Sequence, residues 1–289
     1  MVVVHPSVEA AIMLRLAIIG DIHYSTAGPR SSSMLFHHSA MILKTALEQI
    51  VRHPMRSDLV VQIGDLIDGA NQTREQAKAD LDSAVGLLNQ SGLRWTWILG
   101  NHDVAYCRDY RWLVRRLKRP LPYGELVFGD KVLLLLNSAC EEIYGRVDAE
   151  QQAWLEQVLD LHRHRRIFVF IHHVFDWSFD DDMYIEEGDT VRSLLLESPA
   201  VKAVFMGHAH TFRIETTEGL HEIVTGAVTA WPTMFRWIEI RPDRLCIQSE
   251  KIALPPEVEA EALAAFKANP KPWYGTISNA DLNADLIPR

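Results

Sequence analysis

Cysteine is scarce in this chain: Cys107, Cys140 and Cys246 are the only three among 289 residues, and no CxxC spacing occurs. An odd, scattered set argues against a disulfide framework or a thiolate zinc site and suits a reducing compartment. Long apolar runs are missing too. No stretch approaches the roughly 18 residues that a membrane span needs. Met1 to Leu16 lacks the basic start, the sustained apolar run and the small-residue cleavage site of a secretory leader. A cytoplasmic location with no membrane partner is expected. Basic charge is in deficit, with 29 Lys and Arg against 38 Asp and Glu and a formal net charge of −9. Such a field repels polyanions, so no nucleic-acid partner is expected.

What is present reads as a globular α/β protein. Hydrophobic residues make up 48% and charged residues 23%, which excludes disorder and fibrous repeats. Six short apolar segments have strand length: Leu14 to Ile19, Leu59 to Ile63, Trp95 to Leu99, Val132 to Leu136, Ile167 to Ile171 and Val201 to Met206. Their near-continuous hydrophobicity predicts strands covered on both faces. Helix-like stretches lie between them, at Phe36 to Val51, Glu75 to Asn89, Arg108 to Lys118 and Ala149 to His164. In the last, Asp148 is placed to cap, Gln151 completes a capping-box-like start, and Trp154, Leu155, Val158, Leu159 and His162 recur at helical spacing. Leu220 to Thr225, Met234 to Ile240 and Leu245 to Gln248 suggest a second, more antiparallel sheet. The expected organisation is a catalytic domain over 1–254, then a helix (Pro255 to Ala268) and an irregular tail over 255–289. Seven acidic residues between Phe175 and Asp189 mark a solvated loop or a lid.

Metal-binding residue types fall directly after these strands. Asp21 and His23 follow the first, Asp65 the second, Asn101 and His102 the third, His172 and His173 the fifth, and His208 and His210 the sixth. The carboxyl ends of parallel strands share one edge, so five distant segments are expected to converge there. Any one of these motifs alone reads as a cap or a turn; their conjunction points to a metal site.

The blocks Asp21-Ile22-His23, Gly64-Asp65, Gly100-Asn101-His102-Asp103, His172-His173 and Gly207-His208-Ala209-His210 resemble, in order, those of the calcineurin-like metallophosphoesterase superfamily. The resemblance runs from Leu14 to His210 and implies a two-sheet β-sandwich flanked by helices, four layers in all. It implies Asp21, His23 and His210 on one divalent ion, Asn101, His172 and His208 on a second, and Asp65 bridging them. Carboxylate, imidazole and amide donors without thiolate suit manganese, iron, cobalt or zinc. Two such ions lower the pKa of a shared water toward about 7 and clamp the attacking and leaving oxygens of an in-line displacement. His102 is implied as the group that meets the phosphoryl oxygen or protonates the leaving alkoxide. Asp103 either orients it or caps the following helix. His173, in a turn that lacks the proline common in relatives, is read as hydrogen-bonding nearby or facing the substrate beside the ligand His172, with the exchanged assignment as the alternative. His37, His38, His53, His162, His164 and His221 lie outside the blocks and are read as structural or surface residues.

Within the superfamily, the block spacing and the Ala149 to Leu155 helix start resemble the bacterial cyclic-nucleotide and glycerophosphodiester phosphodiesterases. The expected substrate is therefore a small phosphodiester. An ADP-ribose or CDP-alcohol pyrophosphatase is the enzymatic alternative, and a protein-docking scaffold on the same fold is the non-enzymatic one. A homodimer is also considered, with Trp273 and Tyr274 of the tail as pocket or contact residues.

Overall fold

The computed structural model of the chain describes residues 13–28, 33–105, 110–117, 121–175, 183–269 and 278–287. Two six-stranded mixed sheets face one another. The first runs β12-β11-β10-β1-β2-β3 and the second β4-β5-β6-β7-β9-β8. Their strands are β1 (Leu14–Ile19), β2 (Leu59–Ile63), β3 (Trp95–Ile98), β4 (Gly124–Phe128), β5 (Lys131–Leu135), β6 (Arg166–Phe170), β7 (Val201–Met206), β8 (Arg213–Thr217), β9 (Leu220–Val224), β10 (Met234–Ile240), β11 (Leu245–Lys251) and β12 (Ala284–Leu286).

The near-continuous hydrophobicity of the central strands follows from this layering. Leu14, Leu16 and Ile18 of β1 point between the sheets, where they meet Leu133 and Leu135 of β5, Phe168 and Phe170 of β6, and Phe205 of β7. Ala17 and Ile19 point the other way, into a core shared with helices α1 (Ser39–Arg52), α2 (Arg74–Gln90) and α7 (Pro256–Ala268). On the far side, Val132 and Leu134 pack under α5 (Ala149–Leu161) and α6 (Gly188–Glu197). Side chains alternate between faces along a strand, so a strand apolar at every position needs cover on both sides. The result is a helix-sheet-sheet-helix stack of four layers, as the sequence leads one to expect.

The later strands depart from expectation. They do not form a separate antiparallel sheet. β9 joins the second sheet parallel to β7, whereas β10 and β11 extend the first sheet antiparallel beside β1. Local pattern sets strand character, but the partner of a strand is a long-range choice that alternation does not encode. After residue 254, α7 buries Val258 and Ala262 in the first core, and β12 pairs with β11. The described part of the tail is therefore regular, with α8 (Asn279–Leu282) ahead of β12. Of the acidic stretch, 176–182 lies outside the described residues and α6 begins at Gly188. Trp273 and Tyr274 also fall outside them. Among the described residues no helix is long and apolar enough to cross a membrane.

At α5, Asp148 accepts from the Gln151 amide at 2.8 Å, as a cap should. The Gln151 side chain does not return to close a capping box. It spans the main chain of Asn137 instead, accepting at 2.7 Å and donating at 2.7 Å, and so braces the end of β5.

Candidate metal centre

β1, β2 and β3 run parallel in one sheet, and β5, β6 and β7 run parallel in the other. The carboxyl ends of the two groups are joined directly. The His208 amide donates to Asp21 Oδ1 at 3.0 Å, and His172 Nδ1 donates to the Ile63 carbonyl at 2.9 Å. Seven described non-glycine residues have left-handed backbone, and five of them are Asp21, His23, Asp65, His208 and His210. Each such conformation costs about 1–3 kcal/mol and persists where the surroundings over-determine it, as at functional sites. Gly64, at φ +95°, has no alternative: a β-carbon there would run into the His172 ring. A β-carbon on Gly100 would overlap the Asp65 carboxylate.

Asp21, His23, Asp65 and His210 each offer one donor atom, all within 4.8 Å of one another. His23 Nε2 and His210 Nε2 lie 3.1 Å apart, and His210 Nε2 is 3.5 Å from Asp21 Oδ1. On the other side, His172 Nε2 lies 3.3 Å from Asn101 Oδ1, and the rings of His172 and His208 are 5.0 Å apart. Asp65 Oδ2 sits between the two groups, 3.6 Å from His23 Nε2 and 3.4 Å from His172 Nε2. The seven side chains thus meet in one place, with Asp65 between the two groups.

The donor set fits a pair of cations. Asp21 Oδ2 and His208 Nε2 are buried without a hydrogen-bond partner, at roughly 1–3 kcal/mol each unless something accepts their lone pairs. His172 Nδ1 is committed to the Ile63 carbonyl, which leaves Nε2 as its ligating atom, the usual way a tautomer is fixed at a metal. Among the described residues no Lys or Arg pairs with Asp21, Asp65 or Asp68. Burial would raise the Asp65 carboxyl, but His172, His102 and His23 outweigh it and hold it well below its ordinary range. Burial disfavours charge on His172, yet Asp65 and Asp21 push it up to about 9. Positive charge is what the cluster lacks. Burial and the neighbouring rings lower His208 and His23, so both present neutral imidazole, the form that ligates.

His102 Nδ1 lies 2.8 Å from Asp68 Oδ1, and the His102 ring meets His23 edge-on at 4.5 Å. Asp68 is wholly buried. Burial alone would raise its carboxyl, but His102 and His23 bring it down to about 2. Sequence reasoning missed this residue, although a second carboxylate three positions past Asp65, in Gly64-Asp65-Leu66-Ile67-Asp68, was a visible signal. Asp103 is not the orienting group. Its carboxylate accepts from the amides of Ile67 and Gly100, at 3.1 and 2.9 Å, and from Trp97 Nε1 at 3.3 Å. Burial, with Asp65 nearby, raises it to about 7. It caps α3 (Asn101–Val104) and ties that turn to the loop after β2.

His173 has both nitrogens engaged, Nδ1 with Ser138 Oγ at 2.8 Å and Nε2 with the Ile143 carbonyl at 2.9 Å. Burial, reinforced by His172, lowers it to about 3. It is a neutral tether for the 138–145 loop, packed 4.3 Å from the His208 ring, and not a free donor.

The family profile described as calcineurin-like phosphoesterase matches residues 14–212. A probable cyclic nucleotide phosphodiesterase of a Psychrobacter species is 25% identical over 227 residues, covering 75% of this chain and 65% of that protein. The chain thus spans just under two thirds of that relative's length. A probable glycerophosphodiester phosphodiesterase of Arcobacter nitrofigilis is 26% identical over 250 residues, covering 83% of this chain and 85% of that one. Among solved structures, a dimetal phosphatase from Danio rerio superimposes with a TM-score of 0.72 at 20% identity, covering 83% of this chain and 96% of that one.

Proposed function

The chain belongs to the calcineurin-like phosphoesterase family, and from that premise we propose that it hydrolyses a small phosphodiester of the cyclic-nucleotide or glycerophosphodiester type. Asp21, His23 and His210 would hold one divalent ion, Asn101, His172 and His208 the other, and Asp65 both. When bound, the two ions supply a nucleophilic water at neutral pH and neutralise charge on the phosphoryl oxygens.

The observation that carries the reading is the His102–Asp68 pair beside the seven converging donors. With Nδ1 held by Asp68, Nε2 is the free nitrogen of a ring that is 23% exposed, while every ligand beside it except His210 is almost wholly buried. His102 meets the departing oxygen and gives it the Nε2 proton, and Asp68 stabilises the charged ring until then. Asp103 keeps Asn101 and His102 in register by capping their turn, and His173 holds the 138–145 loop against the second group of ligands. The two relatives named as phosphodiesterases support a diester over a pyrophosphate. The cytoplasm is the proposed location, in keeping with the free thiols of Cys140 and Cys246.

The test is a panel of cyclic AMP, glycerophosphodiesters, bis(p-nitrophenyl) phosphate and ADP-ribose with the manganese-loaded protein. Faster diester turnover is expected. Preferential cleavage of ADP-ribose would replace this reading with the pyrophosphatase one, and absence of any metal-dependent hydrolysis would favour a scaffold.

A further inference from the structure

A second group of metal-ligating side chains lies away from the centre just described. The turn Phe36–His38 ahead of α1 places two consecutive histidines beside α7, and both turn their Nε2 atoms to Glu261. His37 Nε2 is 3.0 Å from Glu261 Oε1, and His38 Nε2 is 3.2 Å from Oε2, with the rings 4.2 Å apart. The three donor atoms lie within 4.8 Å of one another.

We propose that His37, His38 and Glu261 form a third metal site, selective for a borderline transition cation of the zinc class. Zinc takes nitrogen at 2.0–2.1 Å and carboxylate oxygen at about 2.0–2.2 Å, so neighbouring ligands of a tetrahedral site stand about 3.3 Å apart. The two nitrogen-to-oxygen separations are already close to that edge. Two imidazoles and one carboxylate favour zinc or copper over calcium or magnesium, which prefer an all-oxygen shell. The side chains are 18%, 26% and 40% exposed, so an ion enters from solvent and water completes its shell. No basic residue competes for Glu261, because its ion pairs among the described residues are with these two histidines alone. Lys251 pairs with Glu259, on another side of the helix. The start of α1 just after His38 opposes a cation, an effect that the facing carboxylate offsets.

Both imidazoles must turn a lone pair to the ion, so the Nε2 protons now shared with Glu261 move to Nδ1. No net proton is released from neutral rings. The ion replaces two hydrogen bonds by three coordinate bonds between a segment before residue 40 and a helix after residue 255. Phe36 of the same turn packs edge-on against His23 at 5.8 Å, so the staple would also steady a wall of the catalytic centre.

The experiment is equilibrium dialysis of the full chain against zinc chloride, with total bound metal counted for the parent, Glu261→Gln and a His37→Ala/His38→Ala double variant. The result read is the difference between proteins, which stands whether or not the binuclear centre fills. The parent should bind one ion per chain more than either variant, with at least about tenfold weaker uptake at that site in Glu261→Gln. Zinc-edge anomalous diffraction should place that ion between the three side chains. Zinc should raise the melting temperature of the parent more than that of the variants, each compared with its own metal-free form. Equal metal counts in all three proteins, or an anomalous peak elsewhere with none at the cluster, would overturn the assignment.

Discussion

His102 Nδ1 and Asp68 Oδ1 lie 2.8 Å apart, a half-buried imidazole held by a wholly buried carboxylate. The carboxylate fixes the ring's tautomer and supports its positive charge. Asp68→Asn keeps the shape and removes that charge. It should retain both ions and lower turnover about 10–100-fold, the usual effect of losing an outer hydrogen-bond partner. His102→Ala should lose about 10²–10⁴-fold, as expected for a general acid. The double variant should be no slower than His102→Ala alone, because Asp68 acts through the ring. Steady-state rates at saturating manganese decide it, and parental turnover in Asp68→Asn would remove the pairing from the mechanism.

The layers and the placement of the ligands were legible in the sequence for a physical reason. Central strands apolar at nearly every position announce cover on both faces, and a donor just after such a strand falls on the shared edge whatever the sheet order. Strand position alone puts Asp21, Asp65 and His208 at that edge; their roles as ligands came from the family resemblance. The partnering of β9 and β10 was not legible, since it is set by long-range neighbours that local pattern does not encode. Nor was the choice between Asp68 and Asp103 as partner of His102. Adjacency in sequence favoured Asp103, but its carboxylate is drawn into the amides of Gly100 and Ile67. Asp68 reaches the ring from another strand end. Strands β4, β8 and β12 escaped notice because their outward positions are polar or exposed.

Asp65 Oδ2 stands 3.6 and 3.4 Å from imidazole nitrogens of the two ligand groups. Asp65→Ala removes the side chain that stands between the two ligand groups, the proposed bridge, and also the acceptor of the His102 amide at 2.9 Å. Metal analysis after dialysis should show fewer than two ions at the centre, with hydrolysis lost. Two tightly held ions in that variant would mean that the bridge is made by another group.

Gly64 carries a structural load on two counts, a φ of +95° and the His172 ring packed where a β-carbon would be. Gly64→Ala must rotate His172, break its bond to the Ile63 carbonyl and release the tautomer that aims Nε2 at the second ion. Metal affinity should fall about 10–100-fold, the cost typical of losing such an orienting bond. The fold, built mainly on the inter-sheet core, should persist by circular dichroism. Unchanged affinity measured by manganese titration would show that the loop yields instead.

Arg236 is wholly buried on β10, and among the described residues no carboxylate stands within ion-pair distance of it, although the charge of Asp281 acts on it. Its Nη1 donates to Ser249 Oγ at 3.0 Å and to the Leu282 carbonyl at 3.1 Å, and its Nη2 donates to the carbonyls of Val224 at 2.9 Å and Asp281 at 2.8 Å. The guanidinium also covers the Phe212 ring at 4.9 Å. Burial pulls it down to about 9, so it is still a cation at neutral pH. One side chain therefore ties the first sheet, the end of β9 and the carboxyl end of α8, whose carbonyls favour a positive charge. Arg236→Met fills most of the volume but takes this donor from the Val224 and Asp281 carbonyls, while the Leu282 carbonyl keeps the Ser249 hydroxyl at 2.7 Å. A loss of about 2–5 kcal/mol is expected, at roughly 1–3 kcal/mol for each buried carbonyl left without a donor. Urea unfolding should register that loss, and amide exchange should accelerate first in 281–286, where α8 and β12 depend on the clasp. Arg236→Lys, with three donors on a single nitrogen, should fall between the two proteins. Equal stability of parent and Arg236→Met would mean that the ladder between β11 and β12 alone secures the tail.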